Sequence, residues 1–119
     1  MSAFTVELDN QPGELARLCE AMASSGVNLV LCATTHGNSG VVAFIADDEA
    51  AAQAALEGAD IQYLIRPAVT VKMANLPGAG VNVDLLLPVR ISDDEFYAVI
   101  CADDPAAAED ALGGQVVSG

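Results

Sequence analysis

The chain has 119 residues, which is enough for one ordinary domain or for two very small units that share a core. Apolar residues make up 53% of the sequence and aromatic residues only 4%, so the core must be built from Val, Leu, Ile and Ala. Seventeen acidic residues against four basic ones give a formal net charge of -13, which disfavours nucleic acids and other phosphate-bearing partners.

The cysteines and the histidine give no sign of a metal or a cofactor. Cys19, Cys32 and Cys101 are widely spaced in apolar segments, which predicts buried free thiols. His36 has no nearby partner of the kind that a zinc site requires. Met1 leads directly into a strand-like segment without a basic or long apolar leader, which predicts a cytoplasmic protein that does not contact membranes.

The first elements are a strand, a turn and a helix. Residues 4–9 alternate between apolar and polar side chains, as expected of a half-buried strand. Residues 10–13 then form a turn, in which Pro12 can occupy the first position of a helix. Apolar residues follow at spacings of three and four, which predicts an amphipathic helix that ends near Ser25 with Gly26 as its stop.

A hairpin and a second helix come next. Residues 27–35 and 41–46 are strand-like, and the Gly and Asn residues of the HGNSG segment between them supply positive-φ conformations. Asp47 or Asp48 is predicted to cap an alanine-rich helix that Gly58 terminates.

A last short strand at residues 61–66 completes the order βαββαβ. That order predicts an α+β, ferredoxin-like fold with an antiparallel sheet and both helices on one face. The fold alone does not indicate a function, because many unrelated activities use it.

The chain repeats this pattern. Residues 69–78 (VTVKMANLPG) match residues 4–13 (FTVELDNQPG) without a gap at Thr, Val, Asn, Pro and Gly. The GVN motif at 26–28 recurs at 80–82, and further similarity follows in each half. We therefore predict a tandem repeat with a first unit at residues 1–66 and a second unit at residues 67–119.

The second unit is predicted to be truncated. Between P-G and G-V-N the first half has residues 14–25, whereas the second half has only Ala79, so the first helix is missing there. A parallel return normally needs a crossover of about a dozen residues. We therefore expect residues 81–89 not to run parallel to residues 69–73, but to pair as an antiparallel hairpin or across a subunit boundary. The uncovered sheet face predicts a homodimer.

Two motifs narrow the choice, D-N-Q-P-G-E-L at residues 9–15 and G-V-N-L at residues 26–29. Together they resemble those of the ACT family, a small ligand-binding module of amino-acid metabolism. In that family the first strand ends in a D-x-P-G-like turn and the second strand opens with G-[VI]-N-[IL]. The resemblance covers residues 4–66 well and 69–117 in part. It implies a stand-alone tandem ACT protein without an enzyme domain or a cofactor.

The predicted site lies at the turn after the first strand. Gly13 leaves the helix N terminus unencumbered, so backbone N–H groups and the positive end of the helix dipole can receive a ligand carboxylate. Asp9 or the side-chain oxygen of Asn10 could take the ligand ammonium group, and Asn28, expected close by, could bond to the ligand side chain. The resemblance implies a site that is shared across a subunit interface and formed by Asp9, Asn10, Pro12, Gly13, Glu14, Leu15, Val27 and Asn28.

A weaker second site is predicted at Asn75, Pro77, Gly78 and Asn82, which match the motif without the supporting helix N terminus. Structural explanations compete with ligand binding at both sites. Asn10 can form an Asx turn, and the Pro-Gly pair can serve turn chemistry alone.

The leading functional hypothesis is a non-catalytic regulatory module that binds an amino acid or similar metabolite and acts through association with itself or with an enzyme. The alternative is a ligand-free oligomerisation module. An enzyme is disfavoured because no nucleophile lies beside a base in the sequence, and we expect His36→Ala to leave function intact.

Overall fold

The chain divides into two compact units in a computed structural model, which describes residues 1–72, 83–91, 96–102, 104, 106 and 116–118. One unit comprises Phe4–Ile65, and the other comprises Met1–Ala3 together with Arg66–Gly119. We call them the first and the second unit.

The first unit contains the predicted βαββαβ order. Its elements are β1 (Ser2–Asp9), α1 (Glu14–Ser24), β2 (Leu29–His36), β3 (Ser39–Ala46), α2 (Glu49–Gly58) and β4 (Leu64–Pro67). The sheet order is β2-β3-β1-β4, and β3 pairs antiparallel with both β1 and β2. The ferredoxin-like fold class predicted from the sequence is confirmed.

The core of the first unit lies between this sheet and its two helices. Alternate residues of β1 and β3 point to one side, where they meet the apolar stripes of α1 and α2. The fully buried members of this core are Phe4, Val6, Val42 and Phe44 from the sheet and Leu18, Met22, Ala52 and Leu56 from the helices. Both helices therefore cover the same face, as the alternation in β1 predicted.

The end of α1 has the hydrogen bonds of a Schellman motif. Gly26, with a φ of 70°, donates to the carbonyl oxygen of Ala23 at 3.1 Å, and Val27 donates to that of Met22 at 3.0 Å. The positive φ explains why glycine stops this helix, as predicted.

The bounds of α2 agree with the sequence at one end and differ at the other. Asp48 is the N-cap, and its side chain accepts a hydrogen bond from the Ala51 amide at 3.0 Å. Gly58, however, is the last residue of the helix and not its stop. The positive-φ position is taken by Asp60, at 56°, because the amides of Asp60 and Ile61 bond back to Glu57 and Leu56 in the same way as at the end of α1.

The hairpin between β2 and β3 is tighter than the sequence predicted. His36 pairs with Ser39, so only Gly37 and Asn38 form the loop. Of these two residues only Gly37 has a positive φ, of 61°, as in a type II′ turn.

The second unit has its own four-stranded sheet. Its described strands are β5 (Val69–Lys72), β6 (Val83–Ile91), β7 (Phe96–Ala102) and β8 (Val116–Ser118). The sheet order is β6-β7-β5-β8, which repeats the order of the first unit strand for strand. The segment in which a helix was predicted to be missing lies outside the described residues.

The predicted direction of β6 is wrong. Both β5 and β6 pair antiparallel with β7, so β5 and β6 run in the same direction with β7 between them. Lys72 lies level with Tyr97 and Val83 level with Ala102. The connection must therefore travel roughly 17 Å along the sheet and about 10 Å across it. Any ten-residue connection can span up to about 33 Å, so the rule of a dozen residues was too strict for this distance.

The cysteines differ in exposure. Cys101 is buried, and its burial raises the pKa of its thiol. Cys19 is half-buried, whereas Cys32 is exposed on β2, so the prediction of three buried thiols is wrong for Cys32. The cause is the position of β2 at the edge of the sheet, where most side chains on both faces of the strand are exposed to solvent.

Candidate functional site

The turn between β1 and α1 opens the N terminus of the helix. Gly13 is the N-cap, with a φ of 89°, and no side chain of the described residues caps the helix. A Cβ atom on Gly13 would meet nothing within 4 Å, so the space beside it is open. Because the first amides of a helix have no intrahelical acceptor, the N–H groups of Leu15 and Ala16 are left for another acceptor. A carboxylate at this point would also meet the positive end of the helix dipole.

Asn10 fixes the turn to the tip of the hairpin. Its backbone amide donates to the carbonyl oxygen of Asn38 at 2.8 Å, and its side-chain Nδ2 donates to that of Gly37 at 2.9 Å. The side-chain amide group is therefore engaged through its nitrogen. The Oδ1 atom, which the sequence analysis assigned to a ligand ammonium group, keeps its capacity to accept.

A small cavity of about 90 Å³ lies beside the turn. It is large enough for the volume of roughly three water molecules. From the β1–α1 segment it is lined by Leu8, Asp9, Asn10, Gln11, Glu14 and Leu15, and from the hairpin by residues 33–35 and 40–42. Four of the predicted site residues thus surround one cavity, whereas Pro12 and Gly13 belong to the turn but not to its lining.

The hairpin side of this cavity was missed in the sequence analysis. The signal was present in the fold class, because a ferredoxin-like order places β3 beside β1. Asp9 then lies level with Ser39, so the ends of the hairpin strands meet the turn. Thr34 and Thr35 are the polar side chains that the hairpin brings to the cavity.

Asn28 and Val27 lie away from the turn within one chain. Asn28 faces Asp47, whereas Asp9 pairs with Ser39 at the other end of β3, roughly 27 Å away along the strand. Val27 is 6% exposed and packs in the core. The expectation that Asn28 lies close to the turn is wrong, because β1 and β2 run parallel and the end of one is far from the start of the other.

Asn28 and Asp47 hold each other. The backbone amide of Asn28 donates to Oδ1 of Asp47 at 3.0 Å, and its Nδ2 donates to Oδ2 at 2.9 Å. The Asp47 amide donates in turn to the Asn28 carbonyl oxygen at 3.1 Å. The hydrogen bond from the Asn28 side chain has the largest effect in lowering the pKa of Asp47, and the bond from the Asn28 backbone has the second largest. Asn28 therefore fixes the start of β2 to the start of α2.

This pair predicts a pH dependence of stability. A carboxylate whose pKa is lowered by folding stabilises the protein above its unfolded pKa, and that contribution is lost as the pH falls through the folded value. We expect Asp47→Asn to be less stable than the unchanged protein at pH 7. The difference should shrink as the pH falls below the ordinary value of 3.8. Urea unfolding at pH 7 and pH 3 measures it, and an equal difference at both would contradict the assignment.

Solved structures resemble this chain over nearly its whole length. Protein BT0572 from Bacteroides thetaiotaomicron superposes with a TM-score of 0.83 at 20% identity, over 98% of this chain and 91% of that chain. The ligand-free regulatory subunit of aspartate kinase from Thermus thermophilus superposes with a TM-score of 0.63 at 20% identity, over 96% of this chain and 91% of that chain. The regulatory subunit of aspartate kinase from Thermus flavus superposes with a TM-score of 0.57 at 19% identity, over 95% of this chain and 90% of that chain. The chain has the ACT fold.

The similarity to these proteins is one of structure. No protein-family profile matches the sequence, and no curated protein matches it significantly. The weaker site predicted in the second unit, at Asn75, Pro77, Gly78 and Asn82, lies outside the described residues. In the part of the chain that the structure describes, no three His, Cys, Asp or Glu residues are grouped to hold a metal ion. No helix of that part is long and apolar enough to cross a membrane.

Proposed function

We propose that this chain is a non-catalytic regulatory module that binds an amino acid or a similar small metabolite at the β1–α1 turn of the first unit. The observation that carries the proposal is the uncapped start of α1, where Gly13 leaves the amides of Leu15 and Ala16 to an outside acceptor beside a cavity. The ACT fold, which the aspartate kinase regulatory subunits share, supports a regulatory role.

The charges around the turn suit a zwitterion better than a simple anion. Asp9 and Glu14 line the cavity and offer carboxylates to a ligand ammonium group. The helix amides bind the ligand carboxylate a few ångströms away. A dianion without an ammonium group would meet these two acids without compensation. An α-amino acid is therefore the ligand class that the turn fits.

Asn28 takes part in the proposed site when the ligand lies between two copies of the chain, with the turn of one copy facing Asn28 of the other. In one chain the turn and Asn28 are at opposite ends of the sheet, so one ligand contacts both only across an interface, as in a homodimer. Ligand binding would then stabilise the assembled state by its higher affinity for that state. The regulated partner would be an enzyme of the cytoplasm.

Thermal unfolding in the presence of each of the twenty amino acids tests the proposal. A ligand at about a hundred times its dissociation constant stabilises the folded state by roughly 2.7 kcal/mol. We expect one amino acid, or a few related ones, to raise the unfolding temperature in a concentration-dependent manner. If none does so, the alternative of a ligand-free oligomerisation module replaces this proposal.

A further inference from the structure

Half of the outer edge of β1 has no strand beside it in the part of the chain that the structure describes. β1 has eight residues and its neighbour β4 only four. The Ala68 amide donates to the Met1 carbonyl oxygen at 3.0 Å, so the end of β4 lies beside the start of β1. β4 therefore accompanies residues 2–5, and residues 6–9 form an open half-edge.

The open half-edge presents backbone groups that can pair. Asn10 donates to Asn38 on the hairpin side, and bonding alternates along an antiparallel pair, so Leu8 and Val6 also bond towards β3. Glu7 and Asp9 then direct their backbone groups to the other side. The Asp9 carbonyl oxygen accepts from the Gln11 amide at 2.8 Å. The N–H and C=O of Glu7 and the N–H of Asp9 face outwards.

A cleft of about 680 Å³ runs along these groups. Its walls are the β1 edge, the first turn of α1 and residues 60–64, and its volume lies within the range of sites that bind ligands. It is distinct from the small cavity, although Leu8, Asp9, Glu14 and Val41 border both. Two apolar side chains flank it, since Val41 is 41% exposed and Leu64 is 70% exposed.

The charge of the cleft is negative. Glu7, Asp9, Glu14 and Asp60 line it, and among the described residues of its lining the one basic side chain is that of Arg17. The Arg17 guanidinium group lies 4.0 Å from the Glu14 carboxylate, so part of its charge is already compensated. An occupant with positive side chains is complementary to this surface, whereas an acidic occupant is repelled.

We propose that the open half-edge of β1 binds an extended, basic segment of a partner protein, which adds to the sheet as a short strand beside residues 6–9. Strand addition supplies backbone hydrogen bonds for affinity, and alternate side chains supply specificity. Basic residues of the segment lie on the sheet face of Glu7 and Asp9. Its apolar residues alternate with them and point to the opposite face, where Leu8 lines the cleft. This interaction does not use the helix amides, although it shares Asp9 with the proposed amino-acid site.

Fluorescence anisotropy with a labelled heptapeptide of alternating lysine and valine tests the proposal on the full chain. We expect saturable binding that weakens as salt is added. The same peptide with every backbone amide methylated keeps its charge but cannot pair as a strand, so it should not bind. An alternating glutamate and valine peptide should not bind either.

A pair of variants locates the peptide. Glu7→Lys reverses a charge in the cleft and should weaken binding about tenfold. Glu20→Lys makes the same charge change on the exposed face of α1 and should leave binding nearly unchanged. Circular dichroism checks that both variants fold.

Four results would overturn the proposal. They are no saturable binding of the lysine–valine peptide, equal binding of the methylated peptide, equal binding of the acidic peptide, and equal weakening by the two variants. Equal binding of the methylated peptide would identify the cleft as a merely electrostatic patch. The comparison of the three peptides on the unchanged protein tests the proposal even if Glu7→Lys does not fold.

Discussion

Gly13→Asp is expected to abolish most of the amino-acid binding. The new carboxylate would lie at the start of α1, where its oxygens can accept from the amides of Leu15 and Ala16 and so occupy the groups that a ligand needs. It would also repel a ligand carboxylate. Two charges about 4 Å apart near a surface interact by roughly 1 to 4 kcal/mol, which corresponds to about a fivefold to thousandfold loss of affinity.

Gly13→Asn is the matched control for this variant. Any side chain at a φ of 89° is strained, and Asn has nearly the shape of Asp without its charge. Isothermal titration with the amino acid that stabilises the unchanged protein most should give clearly weaker binding for Gly13→Asp than for Gly13→Asn. Equal affinities would mean that charge at the helix start does not matter, against the proposed site.

Phe44→Ala is expected to cause the largest loss of stability. Phe44 is fully buried, pairs with Phe4 across β1 and β3, and stacks on its ring with centroids 5.0 Å apart. Truncating a buried Phe costs about 3 to 5 kcal/mol, which is a large part of the stability of a small protein. Urea unfolding followed by circular dichroism measures the change.

Val41→Ala is the control on the same strand. Val41 is exposed on the opposite face of β3, so its truncation should cost less than about 1 kcal/mol. If the two variants were equally destabilised, the core of the first unit would not lie on the helix side of its sheet.

Local sequence patterns predicted most of the first unit, because each element carries its own signal. Alternation marked β1, the spacing of apolar residues marked α1, and Asp48 capped α2. The stop of α2 was assigned to Gly58 because glycine favours a positive φ, yet Asp60 adopts that conformation. The signal failed there because hydrogen bonds to Leu56 and Glu57 decide which residue takes that conformation.

The error in the site comes from an assumption about proximity. Motifs that are near in sequence order were assumed to be near in space, whereas sheet order decides proximity. Asn28 lies far from the turn because β2 is parallel to β1, and the hairpin lies close to it because β3 is antiparallel. The error in the second unit has another cause, the crossover length. A short connection was taken to exclude a parallel return, so an antiparallel hairpin or pairing across a subunit boundary was expected, whereas β5 and β6 run parallel with β7 between them.

The nuclear magnetic resonance spectrum of the backbone amides gives the most direct test of the proposed site. The ¹⁵N-labelled chain is titrated with the amino acid that raises its unfolding temperature most. We predict that the amide signals of Leu15 and Ala16 shift in a saturable manner, together with those of the neighbouring turn. Saturable shifts that leave these two amides unchanged would contradict the claim that the start of α1 receives the carboxylate of the ligand.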